Sequence, residues 1–158
     1  VPDAIDDAMI EKGRHDLRDL LTITIDGDDA RDFDDAISIQ KLPEGYRLWV
    51  HIADVSYYVR PGTALDREAY RRGTSVYVTD RVVPMLPQVL RNGICSLNPH
   101  EDRFTITVQM DIAKDGSVRE SQIYPAIIRS DERMTYGNVN RIMAKMSGSC
   151  AVMRICCS

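Results

Sequence analysis

Residues 103–129, RFTITVQMDIAKDGSVRESQIYPAIIR, constrain the fold more than any other stretch. Apolar and polar residues alternate along both halves, and Asp115-Gly116 stands where the halves meet. Alternation with a period of two turns one face of a strand toward a core. Asp-Gly supplies the positive φ that a tight hairpin turn requires. A long antiparallel hairpin is therefore expected at the centre of the molecule. The stretches LTITI (21–25) and AISIQ (36–40) repeat the alternation, and YRLWVHIADV (46–55) is apolar enough to be a strand covered on both faces. SVYVTDRVV (75–83) reads as one further strand, broken by Pro84 and Pro87, after which QVLRNG adds a helical turn.

Two segments carry helix signals. RPGTALDREAYRRG has Thr63 as N-cap, Asp66 three residues on and Gly73 as the stop. TYGNVNRIMAKM places Val139, Ile142, Met143 and Met146 at helical spacing. Residues 1–20 form a polar lead-in with a short helix expected over residues 6–12. Long strands with a few short helices indicate the α+β class with a mostly antiparallel sheet. The 158 residues suffice for one domain with its own core. No apolar run approaches the roughly 20 residues of a bilayer span, so a cytoplasmic protein is expected. Cys95, Cys150, Cys156 and Cys157 lack zinc-site spacing and read as reduced, incidental thiols.

The sequence DGDDARDFDD, residues 26–35, raises the functional question. It holds Asp26, Asp28, Asp29, Asp32, Asp34 and Asp35 around a single Arg31. One reading is a solvated acidic loop, the usual fate of a charge run. Against it, the cluster lies between two apolar strands, and Phe33 in its middle draws the stretch inward. A calcium loop of the EF-hand type needs oxygen ligands at positions 1, 3 and 5, glycine at 6 and glutamate at 12. From Asp26 those places include Ala30, Arg31 and Ile37, and starts at Asp28 or Asp32 also put alanine at a ligand position. The third reading is a magnesium or manganese site for phosphoryl transfer. Hard divalent cations take carboxylate oxygens, and a pair of them can clamp the attacking and leaving oxygens of an in-line displacement. In a regular strand Asp32 and Asp34 share a face, whereas Asp34 and Asp35 do so only if the backbone bends. A net charge of −4 argues against a generally basic nucleic-acid coat. It does not exclude a nucleic-acid enzyme, because bound cations neutralise carboxylates where phosphate approaches.

Four stretches carry a family likeness: DLRDLLTITIDGDDARDFDDAIS (16–38), RLWVHIADVSYYVRPGTALDREAYRRGTSVYV (47–78), VVPMLPQVLRNGICSLNPHEDR (82–103) and RMTYGNVNRIM (133–143). They resemble the catalytic RNB domain of the ribonuclease II / ribonuclease R family, most of all its bacterial ribonuclease R branch. Asp28 departs from the pattern, where glutamate is more usual. The resemblance implies a processive 3′→5′ exoribonuclease that hydrolyses single-stranded RNA to nucleoside 5′-monophosphates with Mg²⁺, for which Mn²⁺ can substitute. It assigns four essential aspartates, at a first position and six, eight and nine residues later: Asp26, Asp32, Asp34 and Asp35. The first and last are expected to hold a magnesium ion against the scissile phosphate, the middle two to organise a second metal and the nucleophilic water. It also assigns Tyr77 as a platform for a base near the 3′ end, since every base offers a π-face. Taken alone, Tyr77 is an aromatic on a strand. SLNP (96–99) and Arg103 enter as site-supporting and RNA-binding candidates. His51 and Trp49 are expected to be structural. Arg67, Arg71 and Arg72 form either a phosphate-facing patch or a solvated helix face.

The likeness runs from about residue 14 to residue 143, and the expected domain segment is 21–143. Family members carry cold-shock domains before this region and an S1 domain after it. Their catalytic domain is more than twice as long and includes a transition-state arginine that has no counterpart here. The tail 144–158 is rich in Cys, Met and Ser and does not resemble the family. We expect it to derive from a shifted reading frame, which sequencing the gene across these codons checks. Two other classes remain open: an inactive fragment that binds single-stranded RNA, and a metal-binding module unrelated to RNA.

Overall fold

A computed structural model describes residues 13–78 and 81–146. The expected helix over residues 6–12 and the tail from residue 147 lie outside the described residues. The long hairpin is present as β7 (Asp102–Ala113) and β8 (Val118–Arg129). At its turn Gly116 has φ +87° and donates its N–H to Ala113 O, while Asp115 Oδ1 accepts from both Ser117 N and Ser117 Oγ. Around this hairpin a seven-stranded sheet forms in the order β1-β8-β7-β4-β3-β2-β9. Its other strands are β1 (His15–Asp16), β2 (Ile23–Asp26), β3 (Asp35–Leu42), β4 (Gly45–Ala53) and β9 (Glu132–Thr135). The interior pairs are antiparallel; the edge pairs β1–β8 and β2–β9 are parallel. Among the described residues, three α-helices and a π-helical turn over Leu90–Ile94 complete the α+β architecture: α1 (Val55–Tyr58), α2 (Ala64–Arg72) and α3 (Tyr136–Met146). Helix α2 starts and stops where its signals place it. Thr63 Oγ1 accepts from Asp66 N at 3.2 Å, and Gly73 ends the helix with φ +74°. The described helices include none long and apolar enough to cross a membrane.

Two expectations are corrected. The stretch read as one strand over 75–83 is a small hairpin, β5 (Val76–Val78) against β6 (Arg81–Val83). Alternating side chains satisfy either arrangement, so periodicity could not choose between them. Strand β4 is not covered on both faces. Trp49, His51 and Ala53 on one face are buried, but Tyr46 and Ile52 on the other are exposed. Ile39 on β3 and Ile123 on β8, which is 71% exposed, continue this open apolar face.

The covered face has an unusual interior. Thr22, Ser38, His51, Thr107 and Thr105 are all buried and form one chain of side-chain hydrogen bonds across the sheet. Thr22 Oγ1 donates to Leu20 O and lies 2.7 Å from Ser38 Oγ. Ser38 Oγ meets His51 Nε2 at 3.1 Å, and His51 Nδ1 meets Thr107 Oγ1 at 2.9 Å. Each buried polar atom in this chain thus has a partner, as a low-dielectric interior demands. Next to it sits the apolar cluster Phe33, Ala36, Ala53, Leu97 and Ile128.

Gly45 opens β4 at φ +155°, and a Cβ there would lie 1.9 Å from the backbone oxygen of Ile112. Side chains rarely adopt that φ, and a backbone atom cannot swing aside. Gly45→Ala should therefore destabilise the fold by about 3 kcal/mol, read from the urea midpoint. A midpoint equal to that of the parent would contradict the assigned pairing of Gly45 with Ala113.

Candidate active site

The acidic segment is the connection between β2 and β3. Asp26 is the last residue of β2 and Asp35 the first of β3, so two carboxylates sit at adjoining strand ends. The residues between them are not strand, and a turn closes through Ala30 N donating to Gly27 O. This answers the difficulty of Asp34 beside Asp35: the backbone leaves regular β geometry, so alternation no longer separates them.

Phe33 fixes the middle of the loop. Its side chain is 6% exposed within the apolar cluster. Its N–H donates to Ser96 Oγ at 3.0 Å, and its carbonyl accepts from Leu97 N at 2.9 Å. One residue on, the carbonyl of Asp34 accepts from Ala53 N at 2.9 Å. A ring held inside therefore leaves its charged neighbours directed away from the core. Burial of the phenyl ring contributes about 2 kcal/mol toward keeping a repulsive segment in place.

Asp32 and Asp34 line one cleft of about 390 Å³ together with Ile52, Ala53, Val55, Ser75, Tyr77, Met85 and Leu86. Tyr77, on the β5–β6 hairpin and 68% exposed, lines the same cleft. Met85 N donates to Ser75 Oγ, and Arg72 Nη1 donates to Pro84 O, tying the hairpin back to helix α2. Asp35 pairs across the ladder with Ile52, a lining residue, but neither Asp35 nor Asp26 lines the cleft itself.

Asp26 Oδ2 is buried and has no hydrogen-bond donor among the described residues. Burial pushes the Asp26 carboxyl above the ordinary range, Asp35 adds to this, and Asp34 and Asp32 contribute less; Arg133 acts in the opposite sense. Asp32, Asp34 and Asp35 therefore all act electrostatically on Asp26. Among the described residues no three acidic, histidine or cysteine side chains are already gathered closely enough to hold a metal ion. The donor set fits a hard cation all the same: it is entirely oxygen, it is anionic, and one buried oxygen lacks a protein partner.

Other sequence candidates fall elsewhere. Arg103 borders a second cleft with Asn98 and Glu101. It donates Nε to Ser96 O at 2.7 Å and Nη1 to Asp102 O at 2.9 Å, and it pairs with Glu101. It thus braces the loop whose Ser96 holds Phe33. Arg71 and Arg72 pair with Glu68, and Arg67 donates to Gly62 O, so this helix face is bonded internally. His51 and Trp49 are structural. Burial pushes His51 down to about 4, which keeps the imidazole neutral near pH 7, and Trp49 Nε1 donates to Gln109 Oε1. Cys95 is buried, and its thiol is pushed up to about 11. Sequence reasoning missed Arg133. It lies on β9, opposite Thr24 in the parallel β2–β9 pairing, and reaches the acidic loop from across the sheet edge. Nothing in its local sequence signals this, because a parallel edge pairing over four residues leaves no pattern.

Comparison with known proteins places this geometry in context. The RNB domain profile matches residues 14–151. Ribonuclease R of Thermotoga maritima is 58% identical over 132 residues, 83% of this chain and 19% of that protein. Ribonuclease R of Escherichia coli is 55% identical over 132 residues, 83% of this chain and 16% of that protein. The chain thus spans less than a fifth of the length of these relatives. Among solved structures, Mycoplasma genitalium RNase R in complex with double-stranded RNA superposes with a TM-score of 0.86 at 36% identity, covering 90% of this chain and 26% of that one.

Proposed function

The chain belongs to the RNB domain family, and from that premise we propose that it is part of a 3′→5′ exoribonuclease that hydrolyses single-stranded RNA. The single observation that carries this reading is the cleft shared by Asp32, Asp34 and Tyr77. Aspartates able to hold cations and an aromatic ring in one cleft suit a ligand with a phosphate and a base. Asp26 and Asp35 would hold one magnesium ion, and Asp32 and Asp34 would hold a second and orient water. When bound, magnesium supplies positive charge against the phosphate and lowers the pKa of water; manganese can take its place. Tyr77 would stack on a base without regard to sequence. Ile52, Val55, Met85 and Leu86 give the cleft an apolar wall. The guanidinium of Arg103 is engaged with carbonyl oxygens, so its part in RNA binding is indirect, through the Ser96 loop. Hydrolysis at the terminal phosphodiester would release a nucleoside 5′-monophosphate and leave a new 3′-hydroxyl. A cytoplasmic setting, with cold-shock and S1 domains elsewhere in the full-length protein, goes with this reading.

A second reading follows from coverage: a segment spanning less than a fifth of its relatives binds single-stranded RNA without turning it over. Incubation with 3′-labelled poly(A) and Mn²⁺ separates the two. Release of labelled mononucleotide supports the nuclease, and retention without release supports the binding segment. Uptake of Mn²⁺ with no affinity for RNA would remove both in favour of a plain metal module.

A further inference from the structure

Arg133 reaches a loop that holds six aspartates, yet the two hydrogen bonds of its Nη2 go to backbone carbonyls. It donates to Gly27 O at 3.2 Å and to Asp28 O at 2.8 Å. Its guanidinium carbon lies 5.1 Å from the centre of the Phe33 ring. Its Nε is buried with no acceptor among the described residues. One side chain thus touches the loop just after Asp26 and again at the residue between Asp32 and Asp34. A guanidinium does this because it is planar and forked; an ammonium is a point charge that neither stacks nor spans two carbonyls in a plane.

We propose that Arg133 is a positioning residue of the carboxylate site, clamping the Gly27–Asp28 backbone against the Phe33 ring so that the aspartates on both sides of the turn face one ligand. The clamp binds main chain, so its hydrogen bonds at Nη2 leave the carboxylate oxygens for a cation. Its positive charge also offsets part of the repulsion that would otherwise open the loop. Phe33 anchors the interior side of the segment and Arg133 its outer side. The consequence for cation binding rests on the metal-site reading above, whereas the clamp itself does not.

The test uses Arg133→Lys and Arg133→Gln in the full chain, with circular dichroism to confirm folding. In metal-free protein the Ala30 amide, which donates to Gly27 O, should exchange about tenfold faster in both variants. Mn²⁺ affinity measured by calorimetry should fall about tenfold in both, and saturating Mn²⁺ should restore protection at Ala30. Should the Gln variant fail to fold, the Lys variant carries the test. Parental exchange and parental Mn²⁺ affinity in Arg133→Lys would overturn the proposal, because charge alone would then suffice. If the parent chain takes up no Mn²⁺, the metal-site reading fails by itself, and exchange at Ala30 still decides the clamp.

Discussion

Asp34→Asn should lower nucleotide release from single-stranded RNA by at least about a thousandfold in the full-length protein. Asparagine has the same shape and removes one negative charge from the cleft. The backbone anchor at this position is unaffected, because it is the carbonyl of residue 34 that accepts from Ala53 N. Phe33, the neighbouring anchor, is also untouched. The variant should therefore melt within about 2 °C of the parent, as expected for a substitution costing less than ~0.5 kcal/mol. Loss of activity with the fold retained isolates the chemistry of the carboxylate. Degradation of labelled RNA at near-parental rates would refute the assignment of Asp34.

Arg14→Met should cost about 3–5 kcal/mol of stability, more than any surface ion pair in the molecule could contribute. Asp54 is 4% exposed, at the end of β4. Its Oδ2 accepts from Arg14 Nη2 at 2.5 Å, and its Oδ1 accepts from Ser56 Oγ and Tyr57 N. The guanidinium also lies 4.3 Å above the Phe104 ring. Methionine would keep part of that packing and leave the buried carboxylate without its counter-charge. Burial alone would raise the Asp54 carboxyl, but hydrogen bonds from Ser56 and Arg14 hold it below the usual carboxylate range. A carboxyl depressed on folding contributes stability above its unfolded value, and that contribution is lost as pH falls through the folded one. The deficit of Arg14→Met should therefore be full at pH 7 and shrink as pH falls through the acid range below about 4. Urea denaturation at pH 7 and pH 3 measures this. A deficit independent of pH would show that Arg14 acts through packing on Phe104 alone.

Local signals carried much of this fold into the sequence. The hairpin over 103–129 was legible because alternation and Asp115-Gly116 agree, and α2 because Thr63, Asp66 and Gly73 each act through a neighbour in sequence. What stayed hidden was nonlocal. The parallel pairings of β1 with β8 and β2 with β9 involve two and four residues, too few to imprint a period. The open face of β4 was misread because apolar composition shows what a face is suited to, not what covers it. For the candidate site, the spacing of Asp26, Asp32, Asp34 and Asp35 could be read directly, and so could Phe33 as an inward residue. The bend that makes the spacing useful could not. It depends on Ser96 and Leu97 meeting Phe33, and on Arg133 reaching across from β9. Tyr77 required both the family likeness and the fold: only the β5–β6 hairpin brings it to the cleft of Asp32 and Asp34.

We propose that the carboxylates of the β2–β3 connection bind divalent cations together. Crystals of the protein soaked in Mn²⁺ and measured at the manganese absorption edge test it most directly. The account predicts an anomalous peak bounded by the carboxylates of Asp26, Asp32, Asp34 and Asp35, with the buried Oδ2 of Asp26 among its contacts. Side chains at these four positions that stay apart, with manganese absent between them at saturating concentration, would contradict it.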